Sequence, residues 1–206
     1  MQIIRRYMWT WLLLLLALIM AGYLTFTALA SGEDDLPVIG QVQDFQLENV
    51  DGKTVSLADT EGKARLVYFF FTQCPDVCPI TTFAMSEAQD LLMESGRFGK
   101  DVDFISISFD PENDTPEAIR TFADRFHANY DGWYFLRGSQ DVIRDLAAKS
   151  FKIMIAGNRK DNFAHANLIA LVDKQNNLRA LYDAGDSEKV TPEFLADAVS
   201  ALADEQ

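Results

Sequence analysis

The residues that decide the fold read Leu66-Val67-Tyr68-Phe69-Phe70-Phe71-Thr72-Gln73-Cys74-Pro75-Asp76-Val77-Cys78-Pro79. A short, unbroken run of apolar and aromatic residues fits a central strand covered on both faces. The next stretch, residues 80–93, places Phe83, Met85, Ala88, Leu91 and Leu92 at roughly helical spacing. Between strand and helix stand Cys74 and Cys78, the only two cysteines in 206 residues. A dithiol where a core strand passes into a core helix is a place for chemistry. Ligand sites in open α/β sheets lie beyond the carboxyl ends of strands.

Outward from that junction the pattern alternates. Residues 103–109 read as a second apolar strand. Thr115-Pro116-Glu117 opens a helix with a capping hydroxyl, a first-turn proline and an acid near the N-terminus. Residues 133–136 form a third strand, and Ser139 caps a helix whose stripe runs through Val142, Ile143, Leu146 and Ala147. Residues 152–164 form a polar loop with room for a small hairpin. Residues 167–172 and 178–182 make an antiparallel strand pair, and Thr191-Pro192-Glu193 starts the last helix. Upstream, Asp51-Gly52 joins residues 44–48 and 54–57 as a β-hairpin. The order predicts an α/β, thioredoxin-like mixed sheet flanked by helices, with an N-terminal hairpin.

Residues 1–30 differ in kind. Arg5 and Arg6 precede an apolar stretch from 7 to 30, long enough to cross a bilayer as a helix. The arginines put its start in the cytoplasm. The reading is a membrane anchor over 1–30, with a cleaved signal peptide as its competitor, since Ala28-Leu29-Ala30 has the form of a cleavage site. Either way the rest is exported, most simply to the periplasmic face of a bacterial inner membrane. Residues 31–42 read as an acidic tether and 43–206 as the folded domain. The net charge of −13 argues against a nucleic-acid partner.

An exported dithiol has a bland explanation, a structural disulfide. A bridge over three residues restricts the unfolded chain little, so redox or metal chemistry is the better reading. Thioredoxin-type redox sites have two residues between the cysteines, whereas this chain has Pro75, Asp76 and Val77. Cys74 and Cys78 face the same way if both lie on a helical turn, whereas Pro79 as a first-turn residue makes Cys78 the helix cap and leaves Cys74 in the preceding loop. Both sulfurs then converge, and paired thiolates suit a soft or borderline ion. A third ligand must come from elsewhere. His127 reads as a cation at a helix C-terminus. His165 precedes the strand beside the cysteines, at the place where thioredoxin-type enzymes carry a proline. Cys74, Cys78 and His165 form an S₂N set, which suits copper better than structural zinc, since zinc wants a fourth ligand. Met85 and Met154 are thioethers with an equally good claim to packing.

The stretch 70–79, the block Ser108-Phe109-Asp110-Pro111-Glu112-Asn113-Asp114-Thr115-Pro116-Glu117-Ala118 and His165 before an apolar strand together resemble the Sco/SenC copper proteins. These act in assembling the dinuclear copper centre of cytochrome c oxidase. The resemblance implies copper on Cys74, Cys78 and His165, with Asp110 close by. It implies as partner a copper-acceptor subunit of a haem-copper oxidase, or a periplasmic copper donor. The oxidation state, Cu(I), Cu(II) or both, stays open. Family members often carry an acid before the histidine and a hydroxyl residue after it; here Ala164 and Ala166 stand there. Two other functions use the same cysteines: a metal-free thiol–disulfide reductase or thiol peroxidase, and a redox or copper sensor.

Overall fold

The computed structural model describes residues 2–30, 36–157, 163–186 and 188–205, in two compact units, Met1–Leu36 and Pro37–Gln206. The first unit holds helix α1, Gln2–Ala30. At 1.5 Å per residue it rises about 43 Å. Among the described residues no helix is long and apolar enough to cross a membrane.

The second unit is built on strand β4, Ala64–Phe70, and strand β5, Val102–Ser108, every residue of which is buried. Burial on both faces is what a continuous apolar run demands. The two strands pair in parallel, as do β5 and β6, Trp133–Arg137. The crossovers are helix α2, Val77–Glu94, and helix α3, Pro116–Asp124. Thr115 caps α3 by accepting from the Ala118 amide at 3.2 Å.

Flanking strands β1 (Gly40–Gln41), β2 (Gln46–Asn49), β3 (Thr54–Ser56), β9 (Leu168–Val172) and β10 (Asn177–Asp183) complete an eight-stranded sheet in the order β1-β10-β9-β4-β5-β6-β2-β3. Strand β9, Leu168–Val172, runs antiparallel to β4, and β10, Asn177–Asp183, antiparallel to β9. The expected N-terminal hairpin is β2, Gln46–Asn49, with β3, Thr54–Ser56, and joins the sheet through β6. Its turn passes through Gly52 at φ +82°, a conformation that glycine adopts without strain. The expected tether ends earlier than residue 42. Gly40–Gln41 form β1 against β10, and Val42 is buried in the core.

Alternation along β4 divides the core. Val67 and Phe69 face helix α4, Gln140–Phe151, in one cluster with Ile143, Leu146, Ala147 and Phe151. Phe70 stacks on Phe122 of α3 on the opposite side. Helix α5, Pro192–Asp204, packs against α2 and β4. Within 152–164 and the next residue a small hairpin does form, β7, Ile155–Ala156, paired with β8, Ala164–His165.

Candidate functional site

The site begins where β4 ends. Cys74 lies in the loop to α2, its amide donating to the Phe71 carbonyl at 3.2 Å. Helix α2 starts at Val77, two residues earlier than a cap at Cys78 would place it. Asp76 is its cap, and Cys78 and Pro79 lie inside the first turn. Asp76 makes no side-chain capping bond. That part is taken by sulfur: the Cys78 amide donates to Cys74 Sγ at 3.4 Å. Pro79 has no N–H to leave unsatisfied, which is why a proline is tolerated here. The helix start thus holds Cys74 Sγ against the partly positive amide of Cys78.

Neither cysteine is in a disulfide, and both are buried, Cys78 fully and Cys74 at 9% exposure. Burial pushes the Cys78 thiol up to about 12, and Cys74 beside it adds to the rise. A backbone hydrogen bond from Phe71 and the Tyr68 hydroxyl pull the other way. Tyr68 lies beneath the pair on β4, and burial holds its phenol far above the usual range. It donates to Asn167 Oδ1 at 3.0 Å, and Asn167 Nδ2 donates to Thr81 Oγ1 of α2 at 3.2 Å. A polar array therefore floors the dithiol and joins α2 to the segment just past His165.

His165 is half-buried at the end of β8, where it pairs with Ile155. Its ring meets Phe109 edge-on at 4.7 Å between centroids. Phe109 also touches Phe71 at 5.3 Å and Phe163 at 5.0 Å, and Phe71 touches Phe163 at 5.2 Å. The imidazole rests on an aromatic cluster that includes Phe71, the residue whose carbonyl holds the Cys74 amide. Nδ1 lies 3.0 Å from the Ala166 carbonyl. A carbonyl only accepts, so that bond puts the proton on Nδ1 and the lone pair on Nε2, the tautomer a metal ligand needs. Burial lowers the His165 pKa, which keeps the ring neutral.

The structure brings Cys74 and Cys78 together. Among the described residues, however, no three or more His, Cys, Asp or Glu side chains form a group arranged to hold a metal ion. The sulfur pair is assembled, while the imidazole stands on its own platform. Asp110 is buried, and its two oxygens accept from Asn113 Nδ2 at 2.8 and 3.0 Å. Met85 is fully buried as core and Met154 is 73% exposed. His127 follows α3 in a left-handed conformation, its carbonyl accepting from Gln89.

Asp114 has no sequence signature that marks its place in the site. It is fully buried at the β5–α3 loop. It accepts from the Thr72 amide through both oxygens at 3.2 Å, and from the Thr72 hydroxyl at 2.5 Å and the Ser108 hydroxyl. Burial raises its pKa, and the Ser108 and Thr72 hydrogen bonds oppose the rise. Tyr68, Thr81 and Asn167 likewise carry no such signature. Nothing in their spacing marks them, because a strand Tyr and a helix Thr are ordinary core choices.

The SCO1/SenC family model matches residues 37–202, nearly the whole second unit. The SCO1 protein homolog of Bacillus subtilis is 40% identical over 120 residues, 58% of this chain and 61% of that protein. Two solved structures are similar across the domain. BsSco, a member of the Sco family of cytochrome c oxidase assembly proteins in which a disulfide switch has been identified, is 32% identical at a TM-score of 0.72, covering 82% of this chain and 97% of that one. Arabidopsis thaliana ScoI with copper bound is 27% identical at a TM-score of 0.66, covering 81% and 99%. With the family match running from the first sheet residues into the last helix, over the thioredoxin-like fold and the dithiol, this chain belongs to the SCO1/SenC family.

Proposed function

We propose that this protein is a membrane-tethered copper chaperone that carries copper on Cys74, Cys78 and His165 for assembly of the copper centre of cytochrome c oxidase. Family membership and the copper-bound relative support the cargo. The residues fit it. Two thiolates and a neutral imidazole are soft and borderline donors of the kind Cu(I) takes. The observation that carries the reading is the 3.4 Å contact from the Cys78 amide to Cys74 Sγ, which fixes two unoxidised sulfurs on one helix start. His165, tautomerically set by Ala166, supplies the third donor once the β7–β8 hairpin brings Nε2 to the sulfurs.

The thiols must lose protons to hold the cargo, so loading releases protons and the disulfide form is barred from it. Helix α1 is proposed as the anchor. Arg5 and Arg6 precede its apolar stretch in sequence, and Leu13, Leu16, Leu18 and Ile19 are exposed along it, a surface suited to lipid. The domain then faces the periplasm, where the partner is the copper-acceptor subunit of a haem-copper oxidase or a periplasmic copper donor. The test is copper stoichiometry of the reduced protein, expected at one per chain and lost on oxidation of the dithiol. Copper retained by fully oxidised protein would defeat it.

A second reading, metal-free thiol–disulfide exchange, is favoured by the lack of an assembled three-donor group among the described residues. Vigorous reduction of a protein disulfide, unaffected by copper, would select it.

A further inference from the structure

We propose that Asp114 is a positioning residue of this site, a buried anchor that fixes the dithiol loop and the imidazole's platform to one another. The inference rests on the copper-carrying reading above. Strands β4 and β5 end side by side, Phe70 opposite Ser108, and the chain beyond each end carries one half of the site. Beyond β4 come Phe71 and Thr72, then Cys74, whose amide is tied to Phe71. Beyond β5 comes Phe109, on which His165 rests. Asp114 joins the two. Thr72 gives it both an amide and a hydroxyl proton, and Ser108 gives it a hydroxyl proton.

Directionality makes the clamp specific. The Asp110 amide donates to Ser108 Oγ at 3.2 Å, so Ser108 has its own proton to give and gives it to Asp114. The Asp114 amide in turn donates to the Asp110 carbonyl at 2.9 Å. Every donor at the carboxylate has a counterpart, and an acceptor-only group is what the position requires. Hydrogen bonds to a carboxylate are about twice as strong as neutral ones. A clamp of this kind needs no contact with copper. It sets how closely Cys74 and the Phe109 platform are held, and so how little the loops must reorganise when the third donor closes.

The test uses full-length protein and two readouts. The first is copper affinity, measured by competition against a chelator of known affinity. The second is the equilibrium in which the two thiols give two electrons and two protons to oxidised glutathione, yielding the Cys74–Cys78 disulfide and two reduced glutathiones. Asp114→Asn keeps the volume and turns one acceptor into a donor. Loss of an outer partner of this kind costs metal affinity about 10–100-fold, and that is the expected fall. Looser sulfurs also lower the effective concentration of one thiol at the other, so the glutathione equilibrium should shift several-fold toward the dithiol. Thr72→Val should move both readouts the same way by less, and Thr72→Ser should restore them. Leu202→Ala, a buried residue of α5, supplies a matched loss of melting temperature and should move neither.

If Asp114→Asn does not fold, the Thr72→Val and Thr72→Ser pair decides. Thr72→Val equal to wild type in both readouts, or Leu202→Ala moving both as far, overturns the clamp. A wild type that takes up no copper while Thr72→Val still shifts the thiol equilibrium defeats the proposed function and leaves the clamp standing. A wild type that loads copper with Thr72→Val unchanged does the reverse.

Discussion

The two halves of the site are built to different standards. The sulfur half sits at the joint of a fully buried strand and a long helix, floored by Tyr68, Asn167 and Thr81 and pinned from the side by Asp114. The imidazole half sits on a strand of two residues paired with Ile155, and among the described residues its ring meets the Phe109 ring and the Ala166 carbonyl. Positions fixed by a packed core are precise, and positions on a short hairpin have less to hold them. In the copper-carrying role proposed above, two fixed donors with a third that closes on them would permit release of the cargo, whereas three fixed donors would resist it.

The largest expected effect breaks the fixed half. Cys78→Ala or Cys74→Ala should abolish copper retention, a loss well beyond the roughly 100-fold that an outer partner costs, read as metal content after gel filtration. Alkylation sharpens the same half. Near pH 8 iodoacetamide should modify Cys74 well before Cys78, because Cys78 is fully buried and its thiol is pushed up to about 12. Equal rates by mass spectrometry would mean that the two sulfurs are not differentiated.

The next effects fall on the imidazole half. Phe109→Leu removes the ring under His165 while filling much of the volume. It should weaken copper binding less than loss of the histidine does, at a stability cost of about 1.5 kcal/mol or less. A melting curve and a copper titration check both. The smallest effect is on pH dependence. Burial lowers the His165 pKa from 6.5, so its contribution to stability is fully present above pH 6.5 and lost as pH falls toward the folded value. His165→Gln should therefore show a shallower loss of stability below pH 6.5 than wild type. Identical slopes would mean that the ring titrates as in the unfolded chain.

Legibility in the sequence divides along the same line. The β4–α2 joint was readable because a continuous aromatic run, a dithiol and a proline can meet in few ways. The helix caps at Thr115 and Thr191 were readable because each has its proline and acid in place, and both cap as expected. The hidden part is the polar support. Asp114 lies four residues after Asp110 in the same acidic block, and only the register of β4 against β5 decides which carboxylate turns inward to Thr72. The alanines beside His165 removed the side chains expected to orient it. A backbone carbonyl does that work instead, and no residue pattern announces a carbonyl. The entry of Gly40–Gln41 into the sheet was likewise unreadable, since a two-residue edge strand has no periodicity to detect.

The most direct measurement is copper affinity of the reduced full-length protein beside its His165→Ala variant, with dithiol oxidation followed in both. The expected result is one tightly held copper in wild type and at least a roughly tenfold weaker site in the variant, a cysteine pair that still oxidises, and a fold stable to within about 1 kcal/mol. Unchanged affinity without the imidazole would contradict it and leave a two-sulfur switch in place of a three-donor carrier.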